Sequence, residues 1–215
     1  RYLYEDRWGG EMQWNADHRG GDSIYGESIY TQRVELIGKY ELPIKQKIIL
    51  SGSYSYHGQD SRYGTMVYNA DQQVAFGQMT WHKKIGSKND FVSGIAVRYN
   101  YYDDNTVVTS LGSVNQPDQW FLPGVFIQDN ISWSKKINLL IGSRYDYHTN
   151  HGSILSPRAN LKWTPSDYFS IRFGYGNGFR VVNVFSEDHA ALTGAREVVF
   201  KGDLAPERSN NINLN

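Results

Sequence analysis

Hydrophobic and polar residues alternate with a period of two along most of this chain, in segments of about ten residues, and no stretch keeps a helical period. In the first clear segment, over 28–42, Tyr30, Val34, Leu36, Tyr40 and Leu42 share one face while Thr31, Arg33, Glu35, Lys39 and Glu41 share the other. A strand from about Lys47 sets Ile48, Leu50, Tyr54 and Tyr56 against Ser51, Ser53, Ser55 and His57. The same reading predicts strands through Ala75 to Trp81, Phe91 to Tyr101, Val125 to Trp133, Leu139 to Tyr147, Ala159 to Trp163 and Phe169 to Tyr175. A ninth begins near Ser209.

The connections predicted between these strands alternate. Short turns fall at Pro43–Gln46, Lys84–Asp90, Ser134–Lys136 and Thr164–Asp167. Longer loops are expected over 58–72, 103–122 and 177–206, with one of intermediate length at Asn150-His151-Gly152. Transmembrane barrels show this asymmetry, with short periplasmic turns and long extracellular loops. Tyr and Trp also cluster near the strand ends on the apolar face, as membrane girdles require. The expected fold is therefore all-β: an antiparallel up-and-down transmembrane β-barrel segment of eight or nine strands. An odd strand count leaves open edges, which lipid does not tolerate, so the segment should belong to a larger wall. Both ends look cut.

Composition adjusts this picture only at the margins. Mean hydropathy is -0.57, which excludes a bundle of apolar helices but not a barrel, whose strands average apolar with polar. Acidic and basic residues number 22 each, so no net field draws the chain to nucleic acid or to an anionic surface. Without cysteine, disulfides and thiolate metal sites are excluded. No His-Glu-x-x-His, Gly-x-Ser-x-Gly or phosphate-cradling glycine loop occurs, so the chain is not expected to be an enzyme.

Four runs carry a resemblance. Ile127-Gln128-Asp129 followed by Ile141-Gly142-Ser143-Arg144-Tyr145-Asp146 is the first, and Ser156-Pro157-Arg158-Ala159-Asn160-Leu161-Lys162-Trp163-Thr164-Pro165 the second. Gly174-Tyr175-Gly176-Asn177-Gly178-Phe179-Arg180 and Leu204-Ala205-Pro206-Glu207-Arg208-Ser209 complete the series. In this order and spacing they resemble the barrel of TonB-dependent outer-membrane receptors, of the cobalamin and siderophore type. Val181-Val182 depart from that family's small residue and proline.

The resemblance implies a Gram-negative outer membrane and a plugged barrel of about 22 strands. Residues 1–215 would then be part of one barrel domain, with the plug and the barrel closure outside the chain. It further implies active import of a large scarce nutrient, with cobalamin and ferric siderophores the leading candidates and haem a third. The partners implied are the TonB–ExbB–ExbD energising complex reached through the plug, the lipid bilayer, and in some relatives a surface lipoprotein. Two other classes compete: an unplugged outer-membrane adhesin or enzyme, and a soluble all-β ligand-binding protein.

Ligand contacts are expected in extracellular loops, which carry function on rigid scaffolds. Arg62, Tyr63, Tyr68, Trp120, Phe121, Phe185 and His189 are the candidates, and Arg7 to Met12 with Gly20-Gly21-Asp22 is expected to form another such loop. Arg144, Asp146, Arg158, Arg172, Arg180 and Glu207 are expected to face the lumen, where a structural ladder of charges is the simpler reading. No metal or cofactor is assigned. Asp103-Asp104-Asn105 offers clustered oxygens that would suit calcium, but a plain turn is the simpler reading. His148 and His151, three apart, are read the same way, as solvated loop histidines rather than a metal or haem ligand pair.

Overall fold

A computed structural model describes residues 1–111, 113–181 and 205–215. Ten strands form one antiparallel meander: β1 (Tyr2–Gly10), β2 (Gly26–Glu41), β3 (Lys47–Tyr63), β4 (Met66–Ile85), β5 (Asn89–Asp104), then, beyond a small two-stranded hairpin of β6 (Ser110–Leu111) and β7 (Val114–Asn115), β8 (Asp118–Ser132), β9 (Ile137–His148), β10 (Gly152–Ser166), β11 (Phe169–Arg180) and β12 (Glu207–Leu214). Each strand of the large sheet pairs with its sequence neighbours in it, so β1 and β12 form its two edges. No described helix is long and apolar enough to cross a membrane.

Register explains the two faces. Tyr40, Leu50, Met79, Ile95, Val125, Tyr145 and Leu155 are consecutive cross-strand partners over seven strands. Since successive side chains point to opposite faces, this row places apolar groups on one side only. Ile95 and Ile127 there are more than half exposed, a poor arrangement in water but the expected one against acyl chains. One residue further along, Gln78, Ala96, Gly124, Asp146 and Ile154 form a row on the polar face. Aromatic pairs bracket the apolar band: Trp81 meets Phe91 edge-on at 6.3 Å near the short turns, and Tyr99 lies 4.8 Å from Phe121 towards the other end.

Three expectations need correction. The opening residues are strand β1, paired with β2 from Tyr2↔Val34 to Gly10↔Gly26, so Arg7 to Gly10 are not loop and the large sheet has ten strands among the described residues. Residues 58–72 are not a loop either: β3 and β4 continue pairing to Tyr63↔Met66, leaving Gly64-Thr65 as a two-residue tip. Gly64 has φ +57°, a conformation that glycine adopts freely. Finally, β8 begins at Asp118, which places Trp120 and Phe121 in a strand. The cause is shared. Beyond the apolar band the surroundings are polar on both faces, so alternation fades while backbone pairing continues.

Two connections fold back against the sheet's long-loop end, on opposite faces. On the apolar side, Trp14 packs onto Gly26, where a Cβ would meet its indole at 2.2 Å, and the Arg19 guanidinium sits 4.2 Å over the Tyr30 ring. On the polar side, Tyr63, Tyr68, Ala70 and Tyr102 make a small buried core closed by Ile29 and Val108.

Candidate ligand cavity on the polar face

Between β4 and β11 the polar face holds a cavity of about 450 Å³ lined by Phe76, Arg98, Trp120, Leu122, Arg144, Asp146, Phe179, Arg180 and Val181. Three guanidinium groups and the rings of Phe76 and Trp120 thus meet one carboxylate, while Phe179 and Val181 border the cavity at the end of β11. Asp146 is fully buried and fits a gap left by Gly124 on the next strand. The Arg144 guanidinium donates from Nε to both carboxylate oxygens, at 2.9 and 2.7 Å, and from Nη2 to Oδ1 at 2.7 Å. This two-pronged geometry fixes the guanidinium plane as well as its position. Arg180 forms a second pair, donating from Nε and Nη2 to Glu207 across the β11–β12 edge at 3.0 Å each. Arg98 makes no ion pair with any described residue, so its charge faces the cavity uncommitted.

A larger depression, about 640 Å³, lies on the opposite face among Leu50, Met79, Ile95, Val125, Tyr145 and Tyr147. Its walls are apolar and belong to the membrane band, so acyl chains solvate it. Size alone would choose the wrong face.

Register gathers the six expected lumen residues on one face. Arg144 and Asp146 on β9, Arg158 on β10, Arg172 and Arg180 on β11, and Glu207 on β12 all share the parity of the polar rows. Only Arg144, Asp146 and Arg180 reach the cavity. Arg158 instead donates to the Gln128 side chain.

The expected loop contacts scatter. Arg62 is on the apolar face of β3, ion-paired with Asp60. Tyr63 and Tyr68 lie on the polar face but are buried, and the Tyr68 and Tyr102 hydroxyls are 3.0 Å apart. Trp120 faces the cavity whereas Phe121 points to the apolar side. Phe185 and His189 lie outside the described residues.

His148 is a correction too, being the last residue of β9 and fully buried rather than a solvated loop residue. Its ring stacks on His151 at 4.6 Å and lies tilted against Trp120 at 4.9 Å, and its Nδ1 accepts the Asn150 N–H at 3.1 Å. Loss of solvent, with His151 adding to it, holds this imidazole below its ordinary value. Asp103, Asp104 and Asn105 do not converge. Consecutive strand residues project to opposite faces. Asp104 accepts from Tyr102, Thr106 and Thr109, while the Asn105 side chain bonds the backbone of Val67 and Asn69. Among the described residues no three carboxylate or imidazole groups meet as a metal site would require.

Sequence reading passed over Phe76, Arg98 and Phe179 as site residues. For Phe76 a signal existed: it is a large apolar side chain on the polar face, flanked on the apolar face by the small Ala75 and Gly77.

A model of the TonB-dependent receptor-like β-barrel matches residues 1–215, the whole chain. The chain belongs to that family. Its apolar face is therefore the outer-membrane surface of a Gram-negative cell, its polar face the lumen, and its short turns the periplasmic rim. An iron-regulated outer membrane virulence protein of Vibrio cholerae is 30% identical over 91 residues, 41% of this chain and 14% of the relative's own length. A probable TonB-dependent siderophore receptor, PirA of Acinetobacter baumannii, is 25% identical over 105 residues, 43% of this chain and 14% of the relative. The crystal structure of the siderophore receptor PirA from Acinetobacter baumannii aligns with TM-score 0.65 at 16% identity, covering 87% of this chain and 32% of that one. The RagAB peptide transporter aligns with TM-score 0.52 at 12% identity, covering 88% of this chain and 28% of that one. These two structural likenesses bear on fold alone.

Proposed function

We propose that this barrel wall serves a receptor importing a ferric siderophore, and that the cavity between β4 and β11 is part of the path of that cargo. One observation carries the reading: Arg98, Arg144 and Arg180 surround the cavity with Phe76 and Trp120. Guanidinium groups over a partly desolvated surface suit an anionic, oxygen-rich chelate, and aromatic faces suit its flat parts. Arg144 and Arg180 are steered by Asp146 and Glu207, whereas Arg98 keeps its full charge for the cargo. The names carried by the Vibrio and Acinetobacter relatives agree with iron as the nutrient. Energy would come through the plug from the TonB–ExbB–ExbD complex, and a surface lipoprotein is a further candidate partner.

The test is growth of a strain lacking the full-length receptor on limiting iron supplied as single siderophores, as haem, or with limiting cobalamin as the scarce nutrient. Loss of growth on one ferric siderophore, restored by the wild-type receptor and weakened by Arg98→Glu, is the expected result. A defect confined to cobalamin or haem, or none at all, overturns it.

A further inference from the structure

Trp120 belongs to two groups of side chains at once. It lines the cavity on the polar face, and its ring lies 4.9 Å from that of His148, which stacks in turn on His151 at 4.6 Å. Its side chain also donates a hydrogen bond to Asp118 at the start of β8. A chain of three rings therefore runs from the β9–β10 turn to the cavity wall. The turn is tied to the same stretch of β8 by the Thr149 N–H, which donates to the carbonyl of Phe121, next to Trp120, at 3.3 Å.

The middle ring has no place for a second proton. A neutral imidazole carries one N–H and one lone pair. Nδ1 of His148 uses its lone pair to accept the Asn150 N–H at 3.1 Å. The ring proton is then on Nε2, a buried atom with no hydrogen-bond partner among the described residues. Protonating Nδ1 would set two N–H donors against each other and lodge a charge on a fully buried ring. The groups around it do not compensate. His151 in the turn opposes a charge on His148, and Asp118 on β8 is engaged with Trp120 and His151. Asp146, two residues along the same face of β9, is held by Arg144. Arg98 on the polar face of β5 is itself a cation, and from β10 Gly152 and Ile154 bring no charge. An imidazolium at His148 is relieved by giving up the bond to Asn150 and displacing the turn.

We propose that His148 is a positioning residue for the cavity: neutral, it holds Trp120 in the wall, and protonated, it frees the turn and with it the Trp120 ring. Acid would thereby loosen one aromatic side of the cavity. Burial first and His151 second hold the imidazole below its ordinary value, so the hold is complete at neutral pH and is lost as pH falls through the lowered value. The inference rests on the cavity being part of a cargo path and adds control of that same site by protons.

The full-length receptor in detergent, labelled with 5-fluorotryptophan and followed by fluorine NMR from about pH 8 to about pH 4.5, spans the range in which a histidine titrates. Trp120→Phe identifies the Trp120 line. In the wild type this line should shift by more than its own width, with a midpoint below 6.5. It should stay level in His148→Asn, whose amide oxygen offers the Asn150 N–H an acceptor without a titrating group, and should still titrate in Asp118→Asn. Heat-modifiable gel mobility checks that each variant is folded, and should His148→Asn fail that check, His148→Phe takes its place. A level Trp120 line in the wild type overturns the proposal, as does an unchanged midpoint in the folded His148 variant. Loss of the titration in Asp118→Asn alone would assign the switch to that carboxylate and equally overturn it. The fluorine signal needs no cargo, so it holds or fails whatever nutrient the growth test reveals.

Discussion

Replacing Gly124 by alanine should destabilise the receptor through a single contact. A Cβ at that position would lie 2.1 Å from Asp146 Oδ1, 3.0 Å from Asp146 Cγ and 3.0 Å from Arg144 Nη2. The carboxylate cannot easily swing aside, because it is fully buried and holds three hydrogen bonds from Arg144. Forcing a methyl group into such a space costs about 1–3 kcal/mol. Removing a strand glycine returns about 0.5–1 kcal/mol, and any loosening of the buried pair adds to the loss. The balance is a destabilisation of about 2 kcal/mol. In an Asp146→Ala background the obstructing carboxylate is gone, and the same Gly124→Ala change should cost nothing or stabilise slightly. Arg144 tolerates that background because its side chain is one-third exposed and can take up water. Reversible urea unfolding of the full-length receptor in lipid vesicles, followed by tryptophan fluorescence, measures the four corners of this cycle. A coupling of about 2 kcal/mol is expected. Equal costs in both backgrounds would refute the assignment of Gly124 as the seat of the Asp146 carboxylate.

Three further outcomes follow from the same structure. Ile95→Arg, on the apolar face between the two girdles, should cost about 2–4 kcal/mol in vesicle refolding, and a change below ~0.5 kcal/mol would contradict the face assignment. Tyr102→Phe removes the hydroxyl that donates to Asp104 at 2.7 Å beside Tyr68; the unfolding free energy should fall by about 1–3 kcal/mol, and an unchanged midpoint would count against the buried network. The His148 imidazole is held below its ordinary 6.5 by burial first and His151 second. Folding therefore favours its neutral form, and the associated stability is complete above about pH 6.5 and lost as pH falls through the lowered value. Amide protection at Asn150 and His151 should drop on acidification in the wild type and stay level in His148→Phe; a level profile in both would remove His148 as the cause.

The parts of this molecule that touch lipid were readable in advance, because lipid imposes a strict rule on one face. Tyr40, Leu50, Met79 and Ile95 alternate with polar neighbours for that reason, and the turns between their strands are marked by Pro43 and Gly86. Above the membrane that rule lapses. Asp60 and Arg62 face the same side as Tyr54 and Tyr56, so the β3–β4 extension reads as a loop although its backbone stays paired. Strand β1 was hidden similarly, since Asp6 shares the outward side with Tyr2, Tyr4 and Trp8 while Leu3 points inward. The cavity was half legible. Its arginines followed from parity on adjacent strands, but Phe76 becomes a partner of Arg180 only when the sheet brings β4 and β11 to one space. No sequence spacing encodes that meeting.

The tight tip at Gly64-Thr65 has a topographical consequence. A tilted strand crosses a bilayer in about 9–11 residues, whereas β4 has 20. Counted from Trp81 in the lower girdle, the crossing ends near Gln72, and the roughly six residues above it, tilted near 45°, lift the tip about 14 Å above the acyl chains. Asp22 secures it there, accepting from the Thr65 N–H at 3.1 Å and the Thr65 hydroxyl at 3.4 Å. This stiff promontory stands amid the surface polysaccharide, so an antibody or a phage approaching the cell would meet Gly64 and Thr65 before it met the lumen.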